Sequence, residues 1–549
     1  MPILHSTLDT RSEAYQQNRE QMLALVEGFR ELEAKVRAHG EKKRAKFEKR
    51  GQLTPRERVE RLLDPGSPFL ELSTLAGYKM HDDNGRKDTL GGGNIIGIGF
   101  VCGVRCMVTA NDSAIKGGSI APMGLQKTLR AQRIALENRL PCIGLVESGG
   151  ANLNYQSELF VEGGKVFCNM ARMSAAGIPQ ITVVHGSSTA GGAYLPGLSD
   201  YVIMVRGRAK VFLAGPPLVK AAIGEDASDE ELGGAKMHAE VSGLAEYVAE
   251  DDAHGIRLAR EIMSKLRWNE ASGGYQAAAP RAFQPPRYAT EELCGLVPPD
   301  PRKPWDIREL IARLVDGSDF LEFKASWGAD TICGHAAIEG HPIGIVANGG
   351  PIMPEGSCKA AQFIQLCCQS GLPIVYLQNT TGFMVGKEVE QRGAVRHGSK
   401  MIQAVANASV PQFTLLVGGG YGAGNYGMCG RAYDPRFIFA WPNSKVAVMG
   451  AEQIGMVMEI ITKAKFAATD HMLDEAARKI RDDNVRMMRE TLVKRIESES
   501  NALFATARVW DDGVIDPRDS RRVLAMALAT CREGEARKLR PASFGVARM

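Results

Sequence analysis

Short β-branched and apolar runs, CIGLV from Cys142, ITVVHG from Ile181 and YVIMV from Tyr201, alternate along the chain with helical patterns such as LQKTLRAQRIALENRL. That alternation predicts an α/β fold with largely parallel strands. From about Glu20 to Arg61 the sequence is dense in Glu, Lys, Arg and Leu, the pattern of one or two amphipathic helices. A proline-rich stretch of low periodicity, from Ala277 to Pro304, predicts a linker between two halves of similar length.

The two halves repeat each other. RLLDPGSPFLEL from Arg61 recurs as RLVDGSDFLEF from Arg313, and GIGFVCGVRCMVTAN from Gly97 recurs as GHAAIEGHPIGIVAN from Gly334. LPCIGLVESGG from Leu140 recurs as LPIVYLQNTTG from Leu372, TAGGAY from Thr189 as YGAGNY from Tyr421, and KVFLAG from Lys210 as KVAVMG from Lys445. Matches in one order with slowly drifting offsets predict two copies of one fold in tandem. The expected organisation is an N-terminal helical segment over 1–60, a first domain over 61–276, a linker over 277–304 and a second domain over 305–549.

Composition narrows the function. With 549 residues the chain is long enough for two or more domains. The net charge of +4, from 67 Lys and Arg against 63 Asp and Glu, is dispersed, so nucleic acid is a poor partner. Apolar runs are broken well before the ~20 residues of a membrane span. The first twenty residues lack a signal-peptide core, and a cytoplasmic location is expected. The 11 cysteines show no paired CxxC spacing, which suits reduced thiols rather than disulfides or zinc. No metal site is expected.

In each half a buried strand runs into a glycine cluster and then a small-residue helix start: ITVVHGSSTAGGAYLP and FTLLVGGGYGAGNYGM. Such a cluster has three readings. It can be a tight strand-to-helix turn with no further role. It can be a dinucleotide loop, although no acidic residue follows at the end of a next strand. It can be an oxyanion hole, in which backbone N–H groups at a helix start point at a developing negative oxygen. Recurrence of the device at one offset favours the third, with two partners that each develop an oxyanion. His185, at a strand end before the glycines, reads as a satisfied structural histidine rather than a general base, and no Ser-His-Asp set or catalytic carboxylate pair can be assembled.

TAGGAYLPGLSDY, KVFLAGPPLVKAAIGE and ELGGAKMHAEVSG resemble the N-terminal half of biotin-dependent acyl-CoA carboxyltransferase β subunits. The run from TTGFMVG to KVAVMGAEQ resembles their C-terminal half, in the branch of 3-methylcrotonyl-CoA and geranyl-CoA carboxylases. The resemblance implies two tandem crotonase-like (ClpP/crotonase) domains. It implies an acyl-CoA thioester at the N–H groups of Gly191 and Gly192 beside Ala190, and the ureido oxygen of biotin at those of Ala423 and Gly424. Tyr421, Gly422 and Phe383 would border the biotin side. Lys116, Lys127 and Arg130, just before the LPCIGLV strand, are candidates for the CoA phosphates. A biotin attachment sequence and an ATP-grasp signature are both lacking in this chain, which implies carboxybiotin carried on a partner α subunit with biotin carboxylase activity. The family further implies a β6 core within an α6β6 complex.

Methylcrotonyl-type sequences resemble LPCIYLVDSGGAYLP followed by HFGRIFYN, where this chain reads LPCIGLVESGGANLN and EGGKVFCN. Gly144 and Gly163, the latter beside Gly164, replace aromatics, and loss of a ring near the acyl tail lengthens the pocket. The expected reaction is carboxylation at the γ carbon of a 3-methyl-2-enoyl-CoA such as geranyl-CoA. The alternatives are 3-methylcrotonyl-CoA itself or the carboxyltransferase subunit of a biotin-dependent acyl-CoA decarboxylase.

Overall fold

The computed structural model describes residues 2–84, 89–271, 282–298, 303–466 and 474–547. The chain divides into two compact units. The first comprises Arg30–Ala279 with Ala507–Gly513 and Met526–Met549, and the second Met1–Phe29, Pro280–Thr506 and Val514–Ala525.

The first unit is built on eight strands: β1 (Leu70–Glu71), β2 (Asn94–Val101), β3 (Val104–Asn111), β4 (Cys142–Ser148), β5 (Gln180–Thr189), β6 (Tyr201–Val205), β7 (Lys210–Phe212) and β8 (Tyr247–Ala249). Their order is β1-β2-β3-β4-β5-β6-β8, with β7 beside the end of β5. The first three pair antiparallel and the rest parallel. Alternation along β4 sends Ile143 and Leu145 into a core with Val183, Val205, Ile256 and Met263. Cys142, Gly144 and Val146 face the other way, to a cavity they share with Ala131, Val166 and Met170 of the helices Pro122–Glu137 and Gln156–Ala175.

The second unit carries β9 (Leu321–Phe323), β10 (Thr331–Ile338), β11 (His341–Asn348), β12 (Ile374–Thr380), β13 (Gln412–Tyr421), β14 (Phe437–Ala440) and β15 (Lys445–Ala447). Their order is β9-β10-β11-β12-β13-β14, with β15 beside the end of β13. Strand for strand, antiparallel then parallel, this is the arrangement of β1 to β7. The likeness reaches the details. The β2–β3 turn gives its Cys102 and Gly103 N–H groups to Asp64 at 2.8 and 2.7 Å, and Arg260 closes on the same carboxylate at 2.9 Å. The β10–β11 turn gives those of Glu339 and Gly340 to Asp316, both at 2.8 Å, and Arg521 closes on it at 2.5 Å. The aspartates are the Asp of RLLD and of RLVD, so the sequence repeat marks a turn clamp.

The unit boundaries differ from the sequence-based division at the tail. Residues after Ala525 return to the first unit, where Arg105 meets Glu533 in a buried bidentate pair at 2.8 and 3.0 Å. An ion pair between residues so far apart leaves no periodicity to read. Both flanks of the expected linker, 277–281 and 299–302, lie outside the described residues. Its middle forms a 3₁₀ helix, Thr290–Gly295.

Candidate active site

Each parallel sheet ends in one distinctive turn. The β4–β5 ladder shifts register between Val146 and Ser148, and the β12–β13 ladder between Gln378 and Thr380. Beyond the shift, β5 runs to Thr189 and the backbone enters the left-handed region at Ala190, with φ +53°. β13 runs to Tyr421, and Gly422 has the same φ of +53°. Glycine takes this conformation freely, whereas alanine pays roughly 1–2 kcal/mol for it. The chain then coils at once, as the 3₁₀ turn Ala190–Ala193 and as the helix Gly422–Gly427.

Hydroxyls at the strand ends brace these turns. Ser148 Oγ accepts the Gly150 N–H at 3.2 Å, and Ser188 Oγ donates to the Gly192 carbonyl at 2.8 Å. Thr380 Oγ1 accepts the Gly382 N–H at 3.1 Å. A Cβ at Gly424 would lie 2.7 Å from the Gly382 Cα, a backbone atom that cannot swing aside; at Gly192 it would meet the Ser148 hydroxyl at 3.2 Å. In both turns the first residue after the left-handed one, Gly191 or Ala423, is exposed, and the next, Gly192 or Gly424, is buried. The amides of the four expected donors therefore lie in the first turn of a helical segment, where N–H groups have no carbonyl four residues earlier to serve.

Behind the first turn the cavity above Gly144 measures about 110 Å³, and Leu195 and Ser199, just past the turn, join its lining. A Cβ on Gly144 would meet Thr182 Oγ1 at 3.3 Å, with Thr109 Oγ1 and Val146 Cγ2 at 3.7 Å. Gly163 and Gly164 are not on this cavity. They lie on the open side of helix Gln156–Ala175, with nothing within 4 Å of a built Cβ, near the exposed Phe160 and Val161. Phe383 is half-buried, its ring packed where side chains at Gly398 and Gly427 would stand. Tyr421 is buried at the end of β13, which raises its phenol pKa.

Two of the basic residues expected at CoA phosphates are turned inward, and this corrects the sequence reading. Lys127 is buried and donates to the carbonyls of Asn94 at 2.8 Å and Gly91 at 3.3 Å; burial pushes its pKa down to about 8 against the opposing pull of Glu71. Arg130 is buried in a bidentate pair with Asp512 at 2.7 and 2.8 Å. Their neighbours one helical turn away, Met123, Ala131 and Ile134, are core residues, and that stripe was the signal that these cations belong to the inner face. Lys116 remains near the surface, paired with Asp82.

Sequence reasoning passed over a buried charge cluster behind the first turn. Arg58 reaches Glu147 at 2.8 Å and Asp252 at 3.0 Å, and His185 Nδ1 lies 3.0 Å from Asp252. Burial opposes the charge on Asp252, but His185, Arg58 and the Leu53 amide outweigh it and hold the carboxyl at about 2. Burial drives the His185 pKa down. His185 is wholly enclosed, with Asp252 beside Nδ1 and no hydrogen-bond partner at Nε2 among the described residues. His238 is likewise held inside, by the Val211 carbonyl at 2.7 Å and Ser242 at 2.6 Å. Among the described residues no cluster of His, Cys, Asp and Glu could hold a metal ion, no helix is long and apolar enough to cross a membrane, and the cysteines are free thiols.

Both sheets thus end in matched strand-end turns, each followed by first-turn amides. Residues 46–545 match the carboxyl transferase domain model, and the chain belongs to that family. Within it, the chain is a carboxyltransferase β subunit of the branch that holds the geranyl-CoA and methylcrotonoyl-CoA carboxylases. It is 50% identical over 549 residues, the whole of both chains, to a probable biotin-dependent acyl-coenzyme A carboxylase beta2 subunit of Mycobacterium tuberculosis. It is 46% identical over 564 residues to a probable mitochondrial methylcrotonoyl-CoA carboxylase beta chain of Drosophila melanogaster, covering all of this chain and 95% of that one. The crystal structure of the P. aeruginosa geranyl-CoA carboxylase beta subunit superposes with a TM-score of 0.92 at 58% identity, over the full length of both chains.

Proposed function

We propose that this chain carboxylates an extended 3-methyl-2-enoyl-CoA such as geranyl-CoA, holding the thioester oxygen at Gly191 and Gly192. The second turn, with the amides of Ala423 and Gly424, is the place for the ureido oxygen of biotin. Its support is the exposed edge at Ala423 and the same left-handed entry, φ +53°, as in the first turn. Bound there on a partner α subunit, biotin supplies the carboxyl group. The protein's own contribution is stationary: preset N–H dipoles lower the energy of the dienolate formed from the thioester, at about 2.7–4 kcal/mol per donor. Two tandem crotonase-like domains, in a β6 core of an α6β6 complex, are the architecture this reading entails. The matched sheet orders support the duplication, and the exposed Leu153, Phe160 and Val161 support association.

The observation that carries the choice of substrate is the cavity above Gly144. A longer acyl tail gains roughly 0.8 kcal/mol for each CH₂ it buries, and the space, lined by Val146, Val166 and Met170 with Thr109, Thr182 and Gln132 among them, lies just behind the first turn. The test is the reconstituted complex with its α subunit, assayed on geranyl-CoA and 3-methylcrotonyl-CoA. Wild type should favour geranyl-CoA, and Gly144→Tyr should move the kcat/KM ratio toward 3-methylcrotonyl-CoA by about 10-fold or more. Gly163→Phe, on the open side of its helix, is the control and should leave the ratio unchanged. If Gly144→Tyr leaves the ratio unchanged, the cavity is not the acyl site, and a wild type that prefers the shorter thioester makes this a methylcrotonoyl-CoA enzyme.

A further inference from the structure

The second unit holds a thiol with a base beside it that carboxyl transfer does not use. Cys358, near the start of helix Pro354–Ser370, places its Sγ 2.9 Å from Nδ1 of His397 on helix Ala394–Ala406. Lys400 Nζ lies 3.2 Å from the same ring nitrogen, and Arg396 lies 3.2 Å from Nε2. The remaining charges around the pair are Glu355 and Arg392, which bind each other at 2.6 Å. Cys358 is half-exposed and opens onto a groove of about 540 Å³ between the two helices, where Lys400 and the amides of Gln362, Gln365, Gln403 and Asn407 add polar groups, Ile364, Ala361 and Ala404 apolar ones, and Cys368 a second thiol, without a histidine beside it among the described residues.

We infer that Cys358 and His397 form a reactive-thiol site that adds to soft carbon electrophiles, α,β-unsaturated carbonyl compounds above all. In that step the Cys358 S–H proton passes to His397 Nδ1 as sulfur bonds to the β carbon. The C=C electron pair moves toward the carbonyl oxygen, and the imidazolium returns the proton to the α carbon. The product is a thioether that contains every atom of both reactants. Burial, Lys400 and Arg396 press His397 toward its neutral form, which is the form able to accept a proton, while Glu355 works the other way. Lys400 places a cation beside the pair. The amide-lined groove beside the thiol gives room for an elongated carbonyl compound to lie along the helices. This site shares no residue with either turn and is independent of the substrate reading above.

The experiment is N-ethylmaleimide labelling of the intact protein, followed as the rate of adduct formation at Cys358 by peptide mass mapping, with glutathione as the free-thiol reference. An ordinary thiol is a few per cent thiolate at neutral pH, and a paired one loses part of its gain to lower nucleophilicity. With His397 in place to accept its proton, Cys358 should react about 10-fold faster than glutathione at pH 6.5. His397→Gln should return it to the glutathione rate at unchanged thermal stability, and Lys400→Met should slow it by about 3-fold. Cys358 reacting no faster than glutathione, or reacting equally fast in His397→Gln, overturns the site.

Discussion

Gly144 on β4 and Tyr376 on β12 occupy the same position in two sheets of matching strand order, and they show how one sheet order can carry different surroundings. In the second unit the Tyr376 ring is fully buried under helices Pro354–Ser370 and Ala394–Ala406, its hydroxyl bonded to Gln412 at 2.8 Å. In the first unit glycine leaves that layer hollow. The opposite exchange occurs on the other side of the strand ends. Arg58, Glu147 and His185 in the first unit stand where the second has Leu310, Asn379 and Val417, and both Leu310 and Val417 are fully buried. Glu147 and Asn379 lean over equivalent glycines: a Cβ at Gly186 would lie 2.7 Å from the Glu147 side chain, and one at Gly418 would lie 2.2 Å from Asn379. A neutral amide does in one copy what an ion cluster does in the other. The turns are therefore common equipment, while their surroundings are particular to each copy.

That comparison breaks most readily at Arg58. Arg58→Met leaves Glu147 and Asp252 buried without their cation and should cost about 3–5 kcal/mol of unfolding free energy, read by denaturant titration. If the cluster were as dispensable as the Leu310 side suggests, the loss would stay below 1 kcal/mol. The turns are separated next. Gly424→Ala, which must move the Gly382 backbone, should lower kcat by about 100-fold, whereas Gly192→Ala, which meets a hydroxyl able to rotate, should stay within about 10-fold. Equal effects would mean that the two turns are packed alike.

The smallest effect concerns Lys127, whose folded pKa near 8 lies below the unfolded 10.5. Between these values the unfolded chain holds more protons, so stability rises as pH increases from 8 to 10.5, and the buried charge is unfavourable below that window. Urea unfolding at pH 7.5 and pH 10 should show wild type gaining on Lys127→Met by about 1–3 kcal/mol. A constant difference would mean that Lys127 keeps its charge in the folded unit throughout.

Much of this was legible in the residues. The repeats found the duplicated sheet order because each match sits on a strand or on a backbone turn, and those local requirements leave glycine, aspartate and β-branched positions in order. The glycine clusters fell where the turns are. Other features were not legible. Lys127 and Arg130 looked like surface cations because charge alone does not tell which helix face is inside. Gly163 and Gly144 looked alike as lost aromatics, yet one faces open space and the other a cavity.

From the sequence alone came the α/β class, the repeated order of strands and turns, the two glycine-rich strand ends and, from longer motifs, the family; the first three follow from short-range periodicity and local turn chemistry. The tertiary structure decided which cations are spent inside, that Gly144 opens a void where Tyr376 fills one, that residues after Ala525 rejoin the first unit, and that Cys358 meets His397. Each of these depends on groups distant in sequence whose contact is set by packing, and packing leaves no period along the chain.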